Sequence, residues 1–436
     1  MHLYERIYED LRLSIEEGEV RPGERLPSIR ELAARYGCNK LTVQKSFELL
    51  EESGLAENLV GSGSFVTYPR PPEERSGDFS AARLSEDFFP YEEASGLLAG
   101  VLARERGRVF SASPARGEPS LIAALARRFA LAEDSIVVTG GGLQGLDLCR
   151  RLFAGRGKAG REEAEVLVEE PCFPAALGLF RPTSFLPLGP GGPDPEAFEA
   201  FCLKPTAAPS ATRVFFAVPD IHNPTGLRYS EETKRAIARM AREREVWIVE
   251  DDYLSELEPS GIPRFVDLVP ERTIWIKSLS KTTAPGIRIG VISAPPALVS
   301  RVEVLKAEVD TGPAAWLQFF AEGLLSSGLI DGEMARTASV ISRRRAELAA
   351  LIAAFPGLSF DPATAGYNLW VASDREPRLE SPPWAEGKRF GFSPGLRRHF
   401  RLSFMAIGEA DWKPALRRLG LAFGSAFGPA EDRHGV

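Results

Sequence analysis

Residues 278–290 read Ser278-Leu279-Ser280-Lys281-Thr282-Thr283-Ala284-Pro285-Gly286-Ile287-Arg288-Ile289-Gly290. The run follows a short apolar stretch, residues 273–276, that reads as a buried strand. A lysine therefore stands just past a strand end, with an arginine and glycine close behind it. A lone Ser-x-x-Lys is commonly a surface feature, so the surrounding sequence has to decide. Working outward, short apolar runs recur at 135–139, 166–169, 214–218 and 247–250, separated by helical stretches. That alternation predicts an α/β domain with a largely parallel, buried sheet. Ligands in such sheets collect at the carboxyl ends of the strands.

Each of those ends carries a distinctive segment. Thr139-Gly140-Gly141-Gly142-Leu143-Gln144 follows one strand and opens a helix, whose N–H groups can cradle a phosphate. Glu170-Pro171-Cys172-Phe173, Asp220-Ile221-His222-Asn223-Pro224-Thr225-Gly226 and Glu250-Asp251-Asp252-Tyr253 follow three others. The acidic run would also suit a plain helix cap. Taken with 278–290, the set resembles the cofactor segments of fold-type I aminotransferases, enzymes that use pyridoxal 5'-phosphate. That chemistry needs a lysine for the imine, an acid for the pyridine nitrogen, donors for the phenolate oxygen and cations or N–H groups for the phosphate.

The resemblance implies these roles residue by residue. Lys281 is the imine lysine. Ser278 and Arg288 hold the phosphate, Arg288 in a forked geometry, together with the N–H groups of Gly141, Gly142 and Leu143. Asp251 pairs with the pyridinium, Asn223 and Tyr253 with the phenolate oxygen, and Phe173 stacks on the ring. Arg401, in Phe400-Arg401-Leu402-Ser403-Phe404, meets a substrate or effector carboxylate, with Arg397 and Arg398 close enough to compete for that assignment. The sequence departs from the pattern at Gly366-Tyr367-Asn368, where a histidine is common, and residues 377–388 show no helical pattern.

The first 68 residues read differently. Leu3, Ile7, Leu11 and Ile15 recur at i, i+4 spacing, one face of a helix stopped by Gly18 and Arg21-Pro22-Gly23. Ser28-Ile29-Arg30-Glu31 is a capping box that opens a second helix, closed by Gly37. Asn39 caps a third, ending at Gly54, whose buried face is expected to be Leu41, Val43, Phe47 and Leu50. Two short runs, 55–59 and 64–68, flank Val60-Gly61-Ser62-Gly63 and predict a hairpin. Three helices and a hairpin make a winged helix-turn-helix, which lays its last helix in the major groove. Ser28, Arg30, Asn39, Lys40, Thr42, Gln44 and Lys45, with Gly63 in the wing, are the candidate contacts to bases and phosphates. The whole chain carries a net charge of −7, yet residues 21–45 hold six cationic against two acidic side chains, and phosphate binding answers to the local field. Arg21 through Ala33, Leu41-Thr42-Val43 and Gly61 through Val66 resemble the GntR family of regulators.

The fused pair resembles the MocR-like subfamily of GntR regulators, and the resemblance covers residues 4 to about 420. It implies a homodimer. The expected layout is a DNA-binding domain at 1–68, a Pro- and charge-rich linker at 69–78 and an aminotransferase-like domain at 79–436, its small subdomain at roughly 300–436. A content of 44% hydrophobic and 26% charged residues is that of an ordinary globular chain. No leader and no apolar stretch long enough for a membrane are evident, and four scattered cysteines lack metal-ligand spacing, so a reducing cytoplasm is expected. Two functions stay open. The first is a regulator that binds a double-stranded DNA operator and senses a small amino compound through external aldimine formation at Lys281. The second is a working aminotransferase with an accessory DNA-binding domain. Turnover separates them. A third reading, a pocket that has lost its cofactor, sits badly with intact Lys281, Asp251 and Arg288.

Overall fold

The computed structural model describes residues 3–16, 20, 23–52, 55–59, 63–66, 77–154, 164–206 and 211–427. The stops at Gly18 and Gly54, Arg21-Pro22 of the turn, Val60-Gly61-Ser62 of the hairpin tip and most of the 69–78 linker lie outside the described residues. Two compact units divide the chain, residues 1–76 and 77–436.

In the first unit, α1 (Leu3–Glu16), α2 (Ile29–Tyr36) and α3 (Lys40–Glu52) are followed by the antiparallel pair β1 (Ala56–Leu59) and β2 (Gly63–Val66). The start of α2 is set by the reciprocal cap: Glu31 N–H donates to Ser28 Oγ at 3.3 Å, and Ser28 N–H donates to Glu31 Oε2 at 2.7 Å. Gly37 ends it in the left-handed region, φ 62°, where a side chain would be strained. Ile7, Leu11, Leu32, Val43, Phe47 and Leu50 close the core. Leu41 does not join them: it is 74% exposed, against the expectation that placed it in the buried face. The reason is angular. At 100° per residue Val43, Ser46, Phe47 and Leu50 form one stripe, and Leu41 lies about 200° from Val43, on the opposite side. Ser46, fully buried, fills that stripe and donates to the Tyr4 carbonyl at 2.8 Å.

The second unit is built on an eight-stranded sheet. Its strands are β3 (Ile136–Thr139), β4 (Glu165–Glu170), β5 (Ser184–Gly189), β6 (Gly192–Pro193), β7 (Arg213–Ala217), β8 (Trp247–Asp252), β9 (Thr273–Ser278) and β10 (Gly290–Ser293), in the order β3-β10-β9-β8-β7-β4-β5-β6. Pairs β4/β5, β4/β7, β7/β8 and β8/β9 are parallel; β10 runs antiparallel to both neighbours. Helices cover both faces, so the central strands are apolar throughout: Val214, Phe215, Phe216, Ile248, Val249, Ile274 and Ile276 are all buried. A four-stranded antiparallel sheet follows the 25-residue helix Leu329–Ala353: β11 (Leu358–Ser359), β12 (Asn368–Ser373), β13 (Ala385–Glu386) and β14 (His399–Ser403), ordered β11-β12-β14-β13.

Candidate functional site

A cavity of about 420 Å³ opens at the carboxyl ends of β3, β4, β7, β8 and β9. Gly142, Leu143, Phe173, Asn223, Asp251, Tyr253, Ser278, Lys281, Arg288 and Arg401 all line it. Sequence distances of more than 250 residues are thus brought into one volume by the sheet order.

Gly141 stands behind the lining, at the N-terminus of the helix Gly142–Phe153, with φ 104°. A Cβ there would lie 2.7 Å from Arg288 Nη2, so only glycine lets the guanidinium rest on the loop. Arg288 donates to the Gly140 carbonyl at 2.9 Å and itself adopts φ 47°, rare for a side chain of its size. Gln144 braces the loop by accepting the Gly140 N–H at 2.7 Å. Arginine, helix N-terminus and Ser278 therefore face one end of the cavity, an arrangement that suits an anion.

The acidic run at the end of β8 divides by strand alternation. Glu250 accepts the N–H groups of Phe265 and Val266, both at 3.0 Å, and so serves as a helix cap. Asp252, on the same face, takes Lys277 Nζ at 3.1 Å and the Trp275 indole N–H at 3.2 Å. Asp251 points the other way, into the cavity. Burial, reinforced by Asp252 and Glu169, pushes its carboxyl up to about 7, against the pull of Lys277 and Lys281. An acid held so far above its usual range has its charged form disfavoured, and a cation placed beside it would reverse that.

Lys281 Nζ donates to the Ala82 carbonyl at 2.6 Å. Burial, then the nearby Arg401, brings its amine down to about 8, with Asp251 opposing. Tyr253 is buried, which holds its phenol well above the usual range. Its oxygen accepts from Asn368 Nδ2 at 3.2 Å, and Ser403 Oγ donates to Asn368 Oδ1 at 2.6 Å. Asn368, at the departure from the family's usual histidine, is thus a prop for Tyr253. Asn223 Oδ1 accepts from Arg401 Nη1 at 2.8 Å, and Arg401 Nη2 donates to the Ser80 carbonyl at 2.6 Å. Arg401 is only 7% exposed, and burial brings its guanidinium down to about 10. Among the described residues it forms no ion pair, and its Nε has no partner. Arg397 and Arg398 are exposed and stand outside this lining.

Sequence reasoning passed over Ser280, whose buried Oγ has no partner among the described residues and which lines the cavity, as well as Arg389 in the same lining and Asn368 beside Tyr253. Ser280 sat inside the quoted segment. The other two lie on elements without a periodic signal.

In the first unit the candidate DNA contacts separate into two groups. Arg30, Lys40, Gln44 and Lys45 are exposed. Ser28, Asn39 and Thr42 are engaged in caps: Asn39 Oδ1 accepts the Thr42 N–H at 2.8 Å and its hydroxyl at 2.9 Å. Lys45 Nζ lies 4.1 Å from the centre of the Tyr4 ring, and Gln44 Nε2 donates to Glu48 at 3.4 Å. Gly63, φ 106°, faces Arg25, whose Nε would lie 2.8 Å from an added Cβ. No described helix is long and apolar enough to cross a membrane.

Residues 3–66 match bacterial regulatory proteins of the gntR family, and residues 92–411 match aminotransferase class I and II. The chain is 28% identical to the uncharacterized HTH-type transcriptional regulator YcxD of Bacillus subtilis, over 70% of each chain. It is 26% identical to the vitamin B6 salvage pathway transcriptional repressor PtsJ of Salmonella typhimurium, over 90% of this chain and 92% of that one. Among solved structures it shares its fold with LysN, the alpha-aminoadipate aminotransferase of Thermus thermophilus, at TM-score 0.71 and 23% identity, covering 81% of this chain and 93% of LysN. Through residues 92–411 the chain belongs to the aminotransferase class I and II family, and residues 3–66 add a gntR-type helix-turn-helix, a pairing consistent with regulators of the MocR kind.

Proposed function

We propose that this regulator holds pyridoxal 5'-phosphate in the 420 Å³ cavity and that a small amino compound entering there changes its grip on an operator. The observation that carries the reading is the buried, unpaired polarity of one cavity. Among the described residues Arg401 Nε and Ser280 Oγ lack partners, and Asp251 lines the same cavity. Buried polar groups left unsatisfied are costly, so a site that keeps several is suited to a ligand that satisfies them. The cradle at Gly141 and Arg288, flush enough that a Cβ would collide, fits the phosphate. When bound, the cofactor supplies an aldehyde that condenses with amines and a ring that withdraws electrons.

The chain's own residues then do the following. Ser278, Ser280, Arg288 and the N–H groups at Gly142 and Leu143 hold the phosphate. Asp251 stabilises a positive ring nitrogen, Asn223 and Tyr253 donate to the ring oxygen, and Phe173 covers one face. With the cofactor bound, Lys281 would hold its aldehyde, and exchange with an incoming amine would release the lysine amine, which burial brings down to about 8. Arg401 receives a carboxylate. Exchange alters the packing around Lys281 and Ala82, and it shifts DNA binding only if one arrangement of the protein favours the ligand over the other. The working unit is a homodimer, a reading supported by large apolar side chains left outside the core, Tyr91 at 71% and Phe110 at 85% exposure. On the DNA side, Lys40, Gln44, Lys45 and Arg30 make the direct contacts, while Ser28, Asn39 and Thr42 set the helix ends from which they project.

One observation favours a second reading. A lysine amine at about 8 beside Asp251 is also suited to moving protons during transamination, so an active aminotransferase with an accessory DNA-binding domain stays in view. The deciding experiment starts with an absorbance spectrum of the purified protein, followed by borohydride reduction and peptide mapping. The expected result is a reducible visible band fixed on the peptide that contains Lys281. A Lys281→Ala protein that keeps the same reducible band would overturn the assignment.

A further inference from the structure

Four cationic side chains line the cavity, Lys281, Arg288, Arg389 and Arg401, against one acid, Asp251. Arg288 faces the anion cradle, Lys281 is held by the Ala82 carbonyl and Arg401 is held by Asn223 and Ser80. Arg389 has no such commitment. No hydrogen bond or ion pair is formed by its side chain among the described residues.

Its backbone is nevertheless fixed. Arg389 lies in the single turn Gly387–Phe390, between two buried anchors. A Cβ on Gly387 would lie 2.1 Å from the Leu396 carbonyl oxygen, so that residue is pressed against its neighbours. Phe390 is 1% exposed, its carbonyl accepts the Cys172 N–H at 2.7 Å, and its ring centre lies 5.1 Å from the Arg401 guanidinium. Nearby acids are already taken. Glu386 pairs with Lys388 at 2.9 Å, and Glu170 accepts the N–H groups of Phe392 at 2.6 Å and Ser393 at 3.0 Å, besides the Ser393 hydroxyl. A guanidinium is thus presented to the cavity from a rigid turn, unneutralised, at its exposed side, while Arg401 lies at the buried side.

We propose that Arg389 selects the effector by pairing with a second acidic group, so that the preferred ligand is an amino dicarboxylate. The inference rests on the reading that amino compounds enter the Lys281 cavity. The α-carboxylate goes to Arg401 in the interior, and the side-chain carboxylate reaches Arg389 at the mouth, where the planar fork can take both oxygens.

The test uses the full-length, cofactor-loaded protein and follows its visible absorbance during titration. The ligands are L-aspartate and L-glutamate against L-asparagine and L-glutamine, which match in size and differ in charge. Wild type should bind the acids roughly five- to tenfold more tightly than the amides, with the preference shrinking as salt is raised, since the pair is partly exposed. Arg389→Gln should erase most of that preference and leave amide affinity unchanged. Equal affinity for acid and amide in the wild type overturns the inference. So does an Arg389→Gln protein that weakens on both classes alike, which is the mark of a structural role. A wild-type spectrum indifferent to all four compounds overturns the underlying reading, and this inference with it.

Discussion

Helix α3 and the cavity of the second unit keep their polar groups in opposite ways. On α3 Lys40, Gln44 and Lys45 stand in water, and the polar groups at its start and along that side are partly occupied with neighbours: Asn39 with Thr42, Gln44 with Glu48, Lys45 with the Tyr4 ring. In the cavity Asn223, Asp251, Ser280 and Arg401 are buried, and among the described residues Arg401 Nε and Ser280 Oγ lack a partner. The first arrangement costs little to alter and responds to salt, which suits scanning along a phosphate backbone. The second is preorganised in a medium where each unpaired group is expensive, which suits one ligand of defined shape. One chain therefore carries a tolerant surface and an unforgiving interior, and substitutions should sort by that difference.

The sharpest contrast is expected at Arg401. Arg401→Gln should weaken amino acids by about 2–3 kcal/mol, the value of a charge-assisted hydrogen-bonded pair, and leave amines without a carboxylate nearly unaffected. Absorbance titration with an amino acid and its decarboxylated amine checks this; equal losses would remove the carboxylate role. Next in size is a pair of truncations within α3 itself. Val43→Ala, at a fully buried position, should cost about 1–2 kcal/mol of unfolding free energy, whereas Leu41→Ala should stay within about 0.5 kcal/mol. Urea denaturation of both variants tests the placement of Leu41 directly.

A smaller effect per site is expected on the exposed cations. Lys40→Ala and Arg30→Ala should each flatten the dependence of log affinity on log salt by about one, while Arg401→Gln should leave that slope alone. A slope unchanged by either DNA-side variant would count against the docking proposed for α3. A last effect concerns pH. In the cofactor-free protein Asp251 titrates at about 7, above its ordinary 3.8, because the fold disfavours its charged form. Between those values the folded state binds the extra proton. Its contribution to stability is therefore present below 3.8 and lost as pH rises through about 7. Asp251→Asn should reduce the fall in melting temperature between pH 4 and pH 8, and an identical fall in both proteins would remove Asp251 from that account.

Much of the site was legible because the chemistry narrows residue identity at strand ends. Lys281, Asp251, Asn223 and Arg288 each follow an apolar run, and the sheet brings those ends together. The three adjacent acids could be sorted only by the pleat, which turns Asp251 away from Glu250 and Asp252. Asn368 and Arg389 stayed hidden for a different reason. Asn368 acts through Tyr253, 115 residues earlier, and Arg389 sits in a turn held by carbonyl contacts that leave no periodic trace. In the first unit the caps at Ser28 and Asn39 were readable from local spacing, since each satisfies N–H groups three residues on. Leu41 was misplaced because its side chain is apolar while its angle on the helix points outward. Angle outranks hydrophobicity when a neighbouring polar residue such as Ser46 can satisfy its hydroxyl inside the core.

The central claim is that occupancy at Lys281 is felt by the operator. The direct measurement is operator affinity of the cofactor-loaded protein, with and without an amino acid that shifts its absorbance, for wild type and for Lys281→Ala. The account predicts that the ligand changes wild-type affinity by about fivefold or more, a typical coupling between linked sites. It predicts that Lys281→Ala binds DNA with an unaltered salt slope and ignores the ligand. Wild-type affinity unmoved by an amino acid that the same protein turns over rapidly would contradict it and assign the cavity to catalysis instead.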